Sequence, residues 1–338
     1  MTDALLSPVV GMAMNAVSIA SIGVSAAKVN KSKLSEKTVP LMGVSGALVF
    51  AGQMINITIP ATGSSGHIGG GILLAGLLGG VPAFLSIAAV LIIQCLFFAD
   101  GGLLALGSNI FILGVIPCLV IYPLVFKPLM KGNANYRRIT LSSVTASVIS
   151  LQLGAFGVVL LTLISGITSL PFGLFAALMQ PIHLVIGLIE GIITAAVLCF
   201  VCKMRPEIID AAQSGERLGG VSVKKVVAAL AVLAVVSAGV ISLFASSNPD
   251  GLEWSVSRTT QRVFGVETEL ESEGRLFDIA AEAQESTAFL PDYAFASDPE
   301  NAAGTTVSGL VGVLVTFMLA GATGFVITKV KKRKKANV

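Results

Sequence analysis

The sequence predicts an all-α integral membrane protein: a seven-span helical bundle plus a two-span C-terminal hairpin that encloses an extracytoplasmic loop. Three observations carry that expectation. Hydrophobic residues make up 54% of the 338 and charged residues only 12%, for a mean hydropathy of +0.88. Apolar runs near the ~20 residues needed to cross a ~30 Å hydrocarbon core recur along the whole chain. The basic residues collect in alternate connections between those runs, which is how the cytoplasmic side of a membrane protein is marked.

The apolar runs place spans at about 8–28, 40–59, 67–79, 81–98, 103–126, 139–167, 172–202, 223–244 and 307–328. The first lacks a basic n-region and follows Ser7-Pro8, so it reads as a true span and not as a signal peptide. The third is short and starts in a glycine cluster, which suits a half-buried or steeply tilted segment. Basic residues crowd the connections after the first span (Lys28, Lys31, Lys33, Lys37), the fifth (Lys127, Lys131, Arg137, Arg138) and the seventh (Lys203, Arg205, Arg217, Lys224, Lys225), and the tail from Lys329. These four regions are expected inside. The N-terminus and the loops at 60–66, 99–102, 168–171 and 245–306 are then outside. Nineteen of the 22 Lys and Arg fall on the inner side, whereas the last outer loop carries 12 of the 19 acidic residues. The formal net charge of +3 therefore hides a strong polarity across the bilayer, which is the partner these charges imply. No nucleic-acid partner is expected.

Two modules follow from this. Residues 1–206 hold seven spans joined by short loops, residues 207–222 form a polar, glycine-ended cytoplasmic connector, and residues 223–338 form the two-span companion with its outer loop 245–306. Helical spacing of apolar residues within Glu-rich 259–288 predicts a short amphipathic helix there. Cys95, Cys118, Cys199 and Cys202 lie within or at the ends of spans and none in the outer loop, so no extracellular disulfide framework is expected. Cys199-x-x-Cys202 could hold a soft metal, but no other soft ligand is near it, and two apolar membrane cysteines explain it better.

The segment Gln53–Gly71, QMINITIPATGSSGHIGGG, places His67 in a glycine-rich break where a membrane helix must stop. Irregular backbone there is tolerated only where protein or a water-filled cavity covers it. His67 is one of only two histidines; it is a metal ligand or a loop histidine satisfying local backbone. Asp100, in the second glycine-rich break (FFADGGLLALGSN), either attracts cations or caps the helix that follows. Asn56 and Asn109 either hydrogen-bond a neighbouring helix or support a metal site from behind. His183 and Glu190 share one face of the seventh span, where an ionisable group is a functional candidate or a buried pair bonding across the bundle. Gly43, Ala47 and Ala51 form a small-residue stripe for close helix packing, internal or onto a partner. No G-x-x-x-x-G-K-[ST] motif occurs, so ATP hydrolysis by this chain is not expected, nor is a prosthetic group.

The stretches DALLSP (Asp3–Pro8), QMINITIPATGSSGHIGGG, QCLFFADGGLLALGSNIFILGVIPC (Gln94–Cys118) and HLVIGLIEG (His183–Gly191) resemble the CbiM/NikM family, the substrate-binding membrane components of energy-coupling-factor transporters for nickel and cobalt. The C-terminal hairpin, with NPDGLE (Asn248–Glu253) and PDYAF (Pro291–Phe295), resembles the family's small companion subunit, here fused. The resemblance implies a plasma (inner) membrane location and Ni²⁺ or Co²⁺ as transported substrate. The partners it implies are a transmembrane coupling (T) subunit and two ATPase subunits. It also implies four nitrogen ligands at the outer face: the N-terminal amine, the second backbone nitrogen and a histidine side chain of an opening Met-His, and a later histidine that corresponds to His67. Such a near-planar set suits Ni(II) and disfavours tetrahedral zinc. Ser64, Ser65, Asn56, Asp100 and Asn109 are the candidates for holding that set in place.

This chain opens Met-Thr-Asp, with Thr2 in place of the histidine. Aligning Asp3 and Leu6-Ser7-Pro8 with the family's Met-His-x-x-Asp-x-x-Leu-Ser-Pro opening makes Met1 the third residue, so a Met-His pair is expected ahead of it. Two other classes compete with the resemblance. A stand-alone ion-coupled carrier would need charged groups near the midplane on paired broken helices, and only His183 and Glu190 qualify. A non-transporting sensor or scaffold would use the outer loop, which has no cysteine and only one tryptophan, Trp254.

Overall fold

The computed structural model describes residues 1–31, 37–132, 135–216, 218–265, 274–298 and 301–336. A 3-10 turn, Asp3–Leu5, leads into α1 (Pro8–Lys31). Next come α2 (Thr38–Gln53), the strands β1 (Ile57–Ile59) and β2 (Ser64–Gly66), α3 (Gly71–Leu78) and α4 (Gly80–Phe98). α5 (Leu106–Leu129), α6 (Tyr136–Ser165) and α7 (Phe172–Met204) follow. α8 (Pro206–Ser214) leads on to α9 (Lys224–Gly239). α10 (Gly251–Phe264), α11 (Arg275–Thr287) and α12 (Ala302–Ala336) end the chain.

Among the described residues six helices are long and apolar enough to cross a membrane: α1, α4, α5, α6, α7 and α12. Nine spans were expected, and the differences have local causes. The run 40–59 stays helical only to Gln53. Beyond it the chain reverses in an antiparallel hairpin pairing Ile57 with Gly66, Thr58 with Ser65 and Ile59 with Ser64. Ala61 (φ 64) and Gly63 (φ 76) turn it in the left-handed region. The run 67–79 becomes helix only from Gly71 and stops after eight residues at Gly79; at 1.5 Å per residue it rises about 12 Å, too little to span the bilayer. The eighth expected run, 223–244, holds α9, a helix of 16 residues.

α2 and α3 lie at the centre. α2 is buried continuously from Leu41 to Ala51, and every residue of α3 is buried. α1 keeps Val9, Val17, Ile19 and Val24 exposed, as a lipid-facing helix would. α5 runs in wide π-type turns through Phe111–Phe126, a stretch containing Pro117 and Pro123. Proline has no N–H to give and crowds the preceding turn, and a wider helix accommodates both.

In the connector α8 buries Ile208, Ile209 and Ala212, and the Tyr122 hydroxyl donates to the Ala212 carbonyl at 2.8 Å. One further expectation changes. The outer loop holds two helices, α10 and α11, where one was expected over 259–288; residues 266–273 fall outside the described set. The Gly43, Ala47 and Ala51 stripe is taken up inside the chain. A Cβ on Gly43 would come within 2.8 Å of the Phe317 carbonyl on α12, and Ala47 and Ala51 are buried.

Candidate metal site

Both glycine-rich breaks, the first residue of the chain and the middle of α7 meet around one cavity with about 170 Å³ of room for solvent, lined by Met1, His67, Asp100, Asn109, His183 and Glu190 among others. The loop that carries His67 is held in three ways. Gly70 sits at φ +78, a conformation that costs glycine nothing, and a Cβ there would run into Val49. Gln53, the last residue of α2, donates from Nε2 to the Gly69 carbonyl at 3.0 Å. Glu190 receives the Gly69 N–H on Oε2 at 2.8 Å and the Gly70 N–H on Oε1 at 3.1 Å.

His67 Nδ1 lies 3.0 Å from the Ile68 carbonyl. A carbonyl only accepts, so Nδ1 carries the proton and Nε2 keeps a lone pair, the state in which imidazole binds metals. His183 is arranged alike, with Nδ1 2.8 Å from the Met179 carbonyl one turn back.

The N-terminal turn is pinned to the second break. The Met1 carbonyl accepts from Asn109 Nδ2 at 3.2 Å and from the Gly102 N–H at 3.3 Å. Asp3 Oδ1 accepts the Ala105 N–H at 2.8 Å. Burial pushes the Asp3 carboxyl above the usual carboxylate range, and the backbone donors Ala105, Leu104 and Leu103 oppose it. Met1 therefore begins at the cavity that His67 faces.

The companion module meets this site through two straps, the first lining the cavity with Asp250, Gly251 and Leu252 and the second bonded to the second glycine-rich break. In the first, each residue of Pro249–Glu253 has a physical task. The Pro249 carbonyl accepts the Ser65 N–H at 2.8 Å. Asp250 caps α10, and Glu253 reaches back to the Asp250 N–H, a complete capping box. Gly251 lets α10 close on Ile182, Ile186 and His183 of α7, and Leu252 and Met1 both pack against the cluster of Ala155, Val158, Val159, Phe175 and Met179. Trp254 donates from Nε1 to the Thr62 carbonyl at 3.0 Å, tying α10 to the β-hairpin. In the second strap, Gln284 donates to the Gly101 carbonyl at 2.7 Å and the Cys95 carbonyl at 2.9 Å. Tyr293 stacks on Phe98 with centroids 5.0 Å apart and donates its hydroxyl to Asp100. Burial and the Asp100 charge hold the Tyr293 phenol well above its ordinary range, so it remains a donor. Asp292 (φ 51) and Tyr293 (φ 59) are both left-handed without being glycine, a strain that a site of contact sustains.

The residues expected from sequence thus divide. His67, Asp100 and Asn109 border the cavity, with Asp100 bonded to a strap and Asn109 to the N-terminus. Ser64, Ser65 and Asn56 act on the hairpin and first strap. Ser64 Oγ donates to the Ser65 carbonyl, Ser65 Oγ to the Asn248 carbonyl at 2.7 Å, and the Asn56 carbonyl accepts the Ser246 N–H at 2.8 Å. Gln53 and Asp250 were missed as cavity residues. The signal for Gln53 was present: a lone amide closing an apolar helix. Its Oε1 is buried with no hydrogen-bond partner among the described residues. Among those residues no group of three or more His, Cys, Asp and Glu side chains is arranged to hold an ion.

The profile of the CbiM family, the cobalt uptake substrate-specific transmembrane region, matches residues 1–208. The chain belongs to the CbiM family. The PDGLE domain profile matches residues 224–329, so a CbiM/NikM-type module is fused to a PDGLE, NikN-like one. A protein of Archaeoglobus fulgidus named as a fused nickel transport protein, NikMN, is 32% identical over 271 residues, covering 78% of this chain and 77% of its own. The cobalt transport protein CbiM of Sorangium cellulosum is 32% identical over 149 residues, 42% of this chain and 63% of that protein. The crystal structure of a truncated transition metal transporter superposes with a TM-score of 0.53 at 30% identity, over 60% of this chain and 98% of that one. The chain is a multi-pass membrane protein of that family.

Proposed function

We propose that this chain is a transition-metal transport component that captures Ni²⁺ or Co²⁺ at the outer face of the membrane. It does so as the substrate-binding and translocating part of an energy-coupling-factor transporter. A transmembrane coupling subunit and two ATPase subunits supply the drive; the chain itself hydrolyses nothing. The observation that carries the reading is His67, whose Nδ1 is tied to the Ile68 carbonyl while its ring borders the cavity at which Met1 begins.

His67 supplies one imidazole nitrogen. The other donors come from the N-terminal segment once a Met-His is placed ahead of Met1: an amine, an amide nitrogen and an imidazole. Fused chelate rings of that kind favour a square-planar ion, and a threonine hydroxyl in the imidazole's place is a poor substitute. Desolvation of the ion is helped by the straps, which cover the cavity from the companion side.

Calorimetry of Ni²⁺ binding tests this. Purified chain extended by Met-His is expected to bind more tightly than the chain as it stands, and His67→Ala is expected to abolish that gain without unfolding the protein. Unchanged binding in His67→Ala removes the assignment.

A further inference from the structure

Glu190 is a carboxylate 3% exposed in the middle of an apolar helix, with both oxygens engaged by main-chain N–H groups. We infer that Glu190 is a positioning residue that acts on His67 through the intervening Ile68–Gly69 peptide group. The inference rests on the reading of His67 as a ligand, and it adds a residue to that site.

The geometry is specific to one peptide unit. The C=O of Ile68 and the N–H of Gly69 belong to the same planar group and point in opposite directions. Glu190 Oε2 takes that N–H at 2.8 Å, and His67 Nδ1–H takes that C=O at 3.0 Å. A hydrogen bond to a charged acceptor is roughly twice as strong as a neutral one. Polarising a peptide at its N–H end strengthens its carbonyl as an acceptor, by roughly 10–30% per bond in a chain of such bonds. The carboxylate therefore holds the proton on Nδ1, fixes the ring, and leaves Nε2 the better donor. Metal-binding histidines commonly have a carboxylate bonded directly to the second ring nitrogen; here a peptide group stands between the two.

The neighbouring peptide gives the control. The C=O of Gly69 accepts from Gln53 at 3.0 Å, and the N–H of Gly70 donates to Glu190 Oε1 at 3.1 Å. Gln53 thus braces the same loop without touching the unit that bonds His67. A Cβ on Gly69 would lie 3.3 Å from Glu190 Oε2, so glycine permits this close seat.

The chain has two histidines, so selective ¹⁵N-histidine labelling of the metal-free protein yields a simple spectrum, assigned with a His183→Gln variant. Neutral His67 in the wild type is expected to carry its proton on Nδ1. Glu190→Gln is expected to move a measurable share of it to Nε2 and to weaken Ni²⁺ binding about 10- to 100-fold. Gln53→Met, which loosens the loop without touching the Ile68–Gly69 peptide, is expected to leave the proton on Nδ1 even where it weakens Ni²⁺ binding. Should Glu190→Gln not be recovered folded, Glu190→Asp, which withdraws the carboxylate by one methylene, takes the same two readings. A wild-type proton on Nε2, a wild-type tautomer in the Glu190 variant, or an equal tautomer shift in Gln53→Met each overturns the inference. Metal binding that survives His67→Ala would instead remove the ligand reading, while the tautomer measurement, made without metal, stands by itself.

Discussion

Replacing Gly251 by alanine tests whether the first strap controls the cavity. Gly251 begins α10, and a Cβ there would lie 2.9 Å from Ile182 Cγ2, 3.1 Å from Ile186 Cδ1 and 3.2 Å from His183 Cε1. Carbon atoms are at ease at about 3.5–4.0 Å, so all three contacts are too close. They arise from successive positions of one long helix, which cannot retreat from all of them together. Overpacking of this kind costs about 1–3 kcal/mol. Gly251 is the first helical residue, so glycine's mid-helix penalty brings no compensation here. The overpacking therefore disfavours the closed strap by about 1–3 kcal/mol, a factor of about 5–150 in its closed-to-open ratio. Hydrogen exchange across residues 251–264 and the dissociation rate of bound Ni²⁺ are both expected to rise by that factor. Gly173→Ala, with nothing within 4 Å of the added methyl, is expected to change neither. Exchange and dissociation at wild-type rates in Gly251→Ala would refute the idea that strap packing holds the cavity shut.

Two further outcomes follow from charge. Burial, and next the Asp250 charge, raise the Glu253 carboxyl above its ordinary value of 4.5. A group with a raised folded pKa contributes its stability below the unfolded value and loses it as pH climbs through the folded one. The wild type is therefore expected to lose melting temperature relative to Glu253→Gln as pH rises from about 4.5 towards neutrality, and a flat difference contradicts this. From the sorting of basic residues the 245–306 loop is expected outside and the connector inside. In a cysteine-free background, an impermeant reagent on intact cells is expected to label Ser247→Cys and not Ser214→Cys, and the reverse pattern rejects the orientation.

How much of this was legible in the sequence depends on what kind of interaction each feature records. The long spans were legible because apolar composition over about 20 residues is a local property. The second and third were overextended because hydropathy does not register chain reversal: Ile57 and Ile59 are as apolar in a strand as in a helix, and the turn is made by φ angles at Ala61 and Gly63. His67 was legible as a candidate because a lone imidazole in a glycine break is chemically unusual. The engagement of Glu190 with Gly69 and Gly70 was not, since it joins residues 121 and 120 positions apart through main-chain groups that every sequence possesses. For the same reason the bonds of Ser64 to the Ser65 carbonyl and of Ser65 to the companion's strap were not legible. Both are near His67 in sequence, and only the register of β2 determines which way they bond.

Fusion of the companion gives the straps a further physical advantage. α12 seats against Gly43 of α2 with Phe317, so the companion is fixed within the bundle by packing far from the cavity. Closing a strap is then an intramolecular step, with an effective concentration set by the chain, in the millimolar range for short linkers. The contacts that close it can be individually modest: hydrogen bonds at Ser65, Trp254 and Gln284, each worth about 0.5–1.5 kcal/mol. Under the proposed function, a cover held by several modest bonds suits a site that has to admit an ion and then release it.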